Sequence, residues 1–207
     1  MTLMTRLLVF GLGAAVAFAS PVTITYTGTA SGFWGTTYFN NSAFTITSYA
    51  ANDDVTENTT ILGVHDYDLT ATTTTITVGG HTATLTDPTY WQTDTVGSTG
   101  TLGLYQVATI LGINTNELLM GGTSPNLAGY ELTTSLSSSL SFSAGLDLSI
   151  PTSYRSLRIM TVSTSNSFSA AVTPDPPAPE PASPWLGGSG LAGLILLGFH
   201  RRTRRTA

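Results

Sequence analysis

The chain has 207 residues and a mass of 21.6 kDa, with 9% charged residues and a formal charge of −5; ordinary soluble domains carry roughly 25% charge. Cysteine and lysine are absent, which excludes disulfides, thiolate metal sites, cysteine nucleophiles and a lipidated cysteine. The acidic balance also argues against nucleic-acid binding, which wants a basic face.

The charges are segregated. Arg6 lies near one end, and Arg201, Arg202, Arg204 and Arg205 lie at the other. Only Arg155 and Arg158 face the twelve acids of segment 20–180, which therefore carries −10. Such asymmetry implies that different segments meet different environments.

Residues 1–19 read as a secretory signal peptide. A positive n-region ending at Arg6 precedes the apolar run Leu7 to Ala17, and Ala17-Phe18-Ala19 supplies the small-x-small pattern for cleavage before Ser20. The run is about eleven residues, or ~16 Å as helix, too short to span a ~30 Å hydrocarbon core. Signal peptidase and the general secretion machinery are the expected partners of this segment.

Residues 20–172 are expected to form one extracellular domain, large enough for a single core. More than a quarter of the chain is threonine or serine. Period-two alternation appears in Val22 to Tyr26, Phe44 to Thr47, Leu146 to Ile150 and Phe168 to Val172, the pattern of half-buried strands. The fold class expected is all-β, an antiparallel β-sandwich or barrel-like sheet.

Within the body, Asn52-Asp53-Asp54-Val55-Thr56-Glu57-Asn58 offers hard oxygen donors without the spacing of a calcium loop; a polar turn is the alternative. In His65-Asp66-Tyr67-Asp68, alternation sets His65 and Tyr67 on one face and the two aspartates on the other. A metal or catalytic role there needs further ligands from elsewhere, and a solvated loop or strand edge is expected. Gly79-Gly80 predicts a two-residue hairpin turn. That turn pairs Val78 with His81, Ile76 with Ala83 and Thr74 with Leu85 on an apolar face. Thr77–Thr82, Thr75–Thr84 and Thr73–Thr86 form a threonine face. Gly97-Ser-Thr-Gly100 and Gly121-Gly-Thr-Ser124 read as turns, since no lysine completes a phosphate loop. The one hint of helix is Val107 to Met120, with Asn114 or Asn116 capping a turn at Glu117 to Met120. No Gly-x-Ser-x-Gly marks a serine nucleophile.

Residues 173–184 hold six prolines, an extended linker. Residues 185–199 (Trp185 to Phe199) are uncharged and are expected to form a single transmembrane helix. It is capped by Ser183, opened by Pro184 and anchored at the interface by Trp185. About fifteen residues span ~22 Å, short for a bilayer, with arginine stems able to snorkel. Residues 200–207 form a basic tail whose Arg201, Arg202, Arg204 and Arg205 stay cytoplasmic by the positive-inside rule, leaving the acidic body outside.

Pro179-Glu180-Pro181, the short apolar helix after it and the terminal arginine cluster together resemble the PEP-CTERM protein-sorting domain of Gram-negative bacteria. The likeness covers about the last 29 residues. Gly187 to Gly190 and the interrupting Thr203 depart from the usual pattern. The resemblance implies recognition by an exosortase, a membrane cysteine-protease-like enzyme, with removal or exchange of the helix and delivery to the cell surface or an extracellular polysaccharide matrix.

The expected function is therefore non-enzymatic. The chain is expected to be exported through the inner membrane as a single-pass precursor, to reach the surface or matrix, and to associate with extracellular polysaccharide or biofilm. No catalytic residue, metal or cofactor is assigned. A carbohydrate-binding adhesin is the alternative, with Trp34, Tyr38, Tyr90 and Trp91 as rings to test against a core role. A secreted hydrolase is disfavoured by the shortage of histidine and of paired carboxylates in a recognisable setting. Ice binding by Thr-x-Thr rows requires a flat array and a repeat, and no repeat is evident.

Overall fold

A computed structural model describes residues 19–59, 65–96, 98–110, 113–145 and 148–174. The cleavage residue Ala17, the sorting motif Pro179-Glu180-Pro181, the transmembrane segment and the arginine tail lie outside the described residues, as do Leu146 and Asp147. Ala19 and Ser20 lie in irregular chain just before the first strand.

Among the described residues thirteen strands follow in order: β1 (Pro21–Trp34), β2 (Thr37–Ala51), β3 (Val55–Thr59), β4 (His65–Ala71), β5 (Thr73–Val78), β6 (His81–Thr84), β7 (Thr89–Val96), β8 (Thr99–Ile110), β9 (Ile113–Ser124), β10 (Leu136–Gly145), β11 (Leu148–Ile150), β12 (Leu157–Val162) and β13 (Ser165–Val172). They join one sheet in the order β3-β4-β7-β8-β9-β10-β13-β1-β2-β5-β6, with β12 also on β1 and β11 on β12. All its strand pairings are antiparallel.

The sheet curls over its own inner face. Tyr26 on β1 lies 6.2 Å from Trp91 on β7, five places away in strand order. Trp91 is 6.2 Å from Phe168 on β13, and the Tyr26 hydroxyl donates to the Gly121 carbonyl of β9 at 3.4 Å. These rings, with Ile24, Ile46, Ile76, Leu69 and Leu104, form one buried core. Alternation is the cause: Val22, Ile24 and Tyr26 point in and are buried, while the threonines between them are half-buried. Fully burying such a side chain contributes about 1.5–3 kcal/mol.

The Gly79-Gly80 hairpin has the expected register over Val78↔His81, Thr77↔Thr82, Ile76↔Ala83 and Thr75↔Thr84, with both glycines at positive φ. Ile76 is buried at 1% exposure and Thr75 is half-buried. The Leu85 amide still reaches the Thr74 carbonyl at 2.9 Å, but Thr73 does not pair with Thr86. The chain there is drawn to another segment: Thr86 N donates to Pro151 O, Ser153 N to Thr84 O, and Leu85 bridges Thr152.

Two local expectations fail. Residues 117–120 are strand, not a helical turn, because β9 pairs with β8 from Ile110↔Ile113 to Gly100↔Ser124. The asparagines thus lie in the ladder instead of capping a turn. Gly121 to Ser124 is also strand. Its glycines serve close approach: a Cβ on Gly122 meets Leu140 Cβ at 2.8 Å, and one on Gly121 meets Leu102 O at 2.9 Å.

Candidate functional site

The outward side of the sheet divides into two chemically different faces. On the first, cross-strand register aligns hydroxyls over six strands. One row runs Ser137, Ser169, Thr25, Thr47, Thr75, Thr84; the next runs Ser139, Ser167, Thr27, Thr45, Thr77, Thr82. Neighbouring strands lie about 4.8 Å apart, so the hydroxyls recur closely, and Thr77 Oγ1 and Thr82 Oγ1 are 2.8 Å apart. Where β10, β13 and β1 meet, six of these residues and Asn126 border a shallow trough of about 450 Å³. Strands in a sheet ordinarily turn roughly 20–25° on their neighbours, a twist that works against the flat lattice ice binding requires.

The second face, on β3, β4, β7 and β8, replaces hydroxyls with acids, amides and rings. Three registered rows make it: Asn58–Asp66–Asp94–Thr101, Thr56–Asp68–Gln92–Gly103 and Thr70–Tyr90–Tyr105. Their inward neighbours Leu69, Trp91 and Leu104 are core, which fixes the outward direction. The Tyr90 and Tyr105 rings are parallel within 10°, with centroids 5.2 Å apart. Tyr105 leans over Gly103, where an added Cβ would stand 2.6 Å from Tyr105 Cε2; the bare glycine is what lets the ring lie across the sheet. Asn58 Nδ2 donates to Asp68 Oδ2 at 2.7 Å. Oδ1 of Asp94 is shut off from solvent, and no donor among the described residues reaches it.

The electrostatics follow from this crowding. The Asp66 carboxyl is pushed up by partial desolvation and then by the Asp94 and Asp68 carboxylates. Asp68 is also raised by desolvation, with the Gln92 and Asn58 amides pulling the other way. Both tyrosine hydroxyls are raised, first by burial and then by the neighbouring acids, Asp68 foremost. A carboxyl whose folded pKa exceeds its unfolded one contributes stability below the unfolded value, about 3.9, and that contribution is lost as pH rises through the folded one. Asp66→Asn is therefore expected to stabilise the fold at pH 7 by about 0.5 kcal/mol, the scale of a solvent-screened cross-strand pair. The gain should vanish by pH 3, as read by urea denaturation at both pH values; a loss of stability at pH 7 would refute the repulsion.

The other sequence candidates fall elsewhere. Trp34 and Trp91 are core at 1% exposure, and Trp34 Nε1 donates to the Val78 carbonyl at 3.0 Å. Tyr38 is exposed beside Phe33, 5.1 Å between centroids. His65 sits at a solvated strand edge with Nδ1 2.6 Å from Glu57 Oε1. His81 stacks on the exposed Tyr154 at the hairpin rim. Asn52–Asp54 makes a 3-10 turn and Val55 onward is strand. Among the described residues no three His, Cys, Asp or Glu side chains converge as a metal group. Tyr105 and Asp94 stand in no recognisable motif of the sequence. Counting back from the Val96↔Thr99 turn pairs Tyr90 with Tyr105, so that contact was accessible. Asp66 opposite Asp94 joins strands distant in sequence and carried no local signal.

No protein-family model matches the chain, and no curated protein or solved structure matches it.

Proposed function

We propose that the protein is an exported, non-enzymatic cell-surface or extracellular-matrix protein, sorted and processed through its C-terminal segment by an exosortase and associated with extracellular polysaccharide. The observation that carries this reading is the ordered succession of Pro179-Glu180-Pro181, the apolar segment and the arginine cluster behind a signal-peptide pattern. In it, the N-terminal signal helix and the C-terminal helix flank a curled sheet of β-sandwich type. The registered rows of uncharged hydroxyls support it, since they solvate a sheet face in a polysaccharide gel without ionic cross-linking.

A tag placed after Ala207 tests the reading. It should be clipped only in cells that contain an exosortase, and the body should fractionate with the surface or matrix. An intact tag on surface-delivered protein would sink the proposal. The adhesin reading is favoured by one feature, the paired tyrosines among hydrogen-bonding side chains on the second face.

A further inference from the structure

The face on β4, β7 and β8 is unlike the rest of the outward surface, and its parts fit one kind of ligand. Tyr90 and Tyr105 present a parallel pair of half-buried rings, and Tyr105 is laid over Gly103. Such rings take up the C–H faces of a pyranose and the charge of a nearby cation. Next to them in register stand Asp66, Asp68 and Asp94, with the amides of Asn58 and Gln92. Like charges set directly opposite one another across strands are unfavourable, as Asp66 and Asp94 are. A ligand bearing ammonium groups offsets this cost, whereas a uronate polymer adds repulsion and a neutral one leaves the carboxylates opposed.

We propose that this face binds a glycan whose pyranose units carry free amino groups, with sugar faces on the Tyr90–Tyr105 pair and ammonium groups among Asp66, Asp68 and Asp94. The inference rests on the reading of the protein as a polysaccharide-associated matrix component, and it names the site and the sugar class.

Titration calorimetry of the full chain with a glucosamine oligomer tests it, alongside its N-acetylated counterpart and spermidine. The glucosamine oligomer should bind, the N-acetylated one far more weakly. Replacing both Asp66→Asn and Asp94→Asn should weaken binding about tenfold, the scale of losing close charge pairs, and Tyr90→Ser should weaken it at unchanged charge. Asp53→Asn with Asp54→Asn makes the same charge change on the exposed 3-10 turn and should leave affinity within about twofold, since solvent-exposed charges interact weakly. Circular dichroism confirms that each variant folds. Equal losses in the two double variants would mean bulk ion exchange and overturn the site, as would N-acetylated oligomer bound equally well. Spermidine bound as tightly and indifferently to Tyr90→Ser would overturn the sugar class. Surface fractionation of the Asp66/Asp94 variant separates the two levels. If it reaches the matrix while wild-type protein binds no glucosamine oligomer, this site fails and the matrix reading stands.

Discussion

Trp91→Ala is expected to cost about 3–5 kcal/mol of folding stability, the range for deleting a large aromatic from a core. Trp91 is 1% exposed, 6.2 Å from both Tyr26 and Phe168. It therefore joins the strands that meet only because the sheet curls. Typical domains hold 5–15 kcal/mol in total, so this one truncation removes a large share. Its indole N–H is buried without an acceptor among the described residues. Trp91→Phe deletes that unsatisfied donor along with some packing, and should cost far less, about 1 kcal/mol. Urea denaturation followed by far-UV circular dichroism measures both. A Trp91→Ala midpoint within about 0.5 kcal/mol of wild type would show that the ring does not hold the halves together. Any glycan affinity lost in Trp91→Ala reports unfolding, whereas loss in Tyr90→Ser concerns the surface.

Gly100→Ala is expected to cost about 3 kcal/mol, the upper part of the range for overpacking. The added Cβ stands 2.2 Å from the Leu127 carbonyl carbon and 2.3 Å from its oxygen. These are backbone atoms, and the oxygen accepts from Tyr130 N at 3.0 Å. Leu127 itself is fully buried in a 3-10 turn, Pro125–Leu127, capped by Ser124. Nothing flexible can give way, so either β8 or the turn must move. Gly80→Ala is the contrast. Its Cβ meets nothing within 4 Å, and only the left-handed backbone at φ +80° resists it, a penalty of about 1–2 kcal/mol. Thermal melts of the two variants should rank Gly100→Ala as the more damaging, and the reverse order would refute the close-approach argument.

That same glycine shows where sequence reading stopped. Gly97-Ser-Thr-Gly100 reads as a turn in sequence, and β7 and β8 do meet at Val96↔Thr99. But Gly100 is in β8, and its missing side chain serves Leu127, a residue 27 positions later. Gly121-Gly122 misled for the same reason, because a turn glycine and a packing glycine look alike in one dimension. Residues 117–120 misled differently, since a short Leu-Leu-Met run fits either period and the ladder with β8 decided it.

The sequence by itself determined the period-two strands, the inward set Val22, Ile24, Tyr26, Ile46, Ile76 and Phe168, and the Gly79-Gly80 hairpin, because alternation and a tight turn act over a few residues. The succession of Pro179-Glu180-Pro181, apolar run and arginines, on which the sorting proposal rests, is likewise read from the sequence alone. Only the tertiary structure decided which aromatics are core and which are surface, separating the adjacent Tyr90 and Trp91 by the direction of one strand. It alone set Asp66 against Asp94 and aligned the hydroxyl rows across β10, β13, β1, β2, β5 and β6. The reason is the sheet order: β4 meets β7 and β13 meets β1 through pairings between distant segments, and no local pattern encodes those partners.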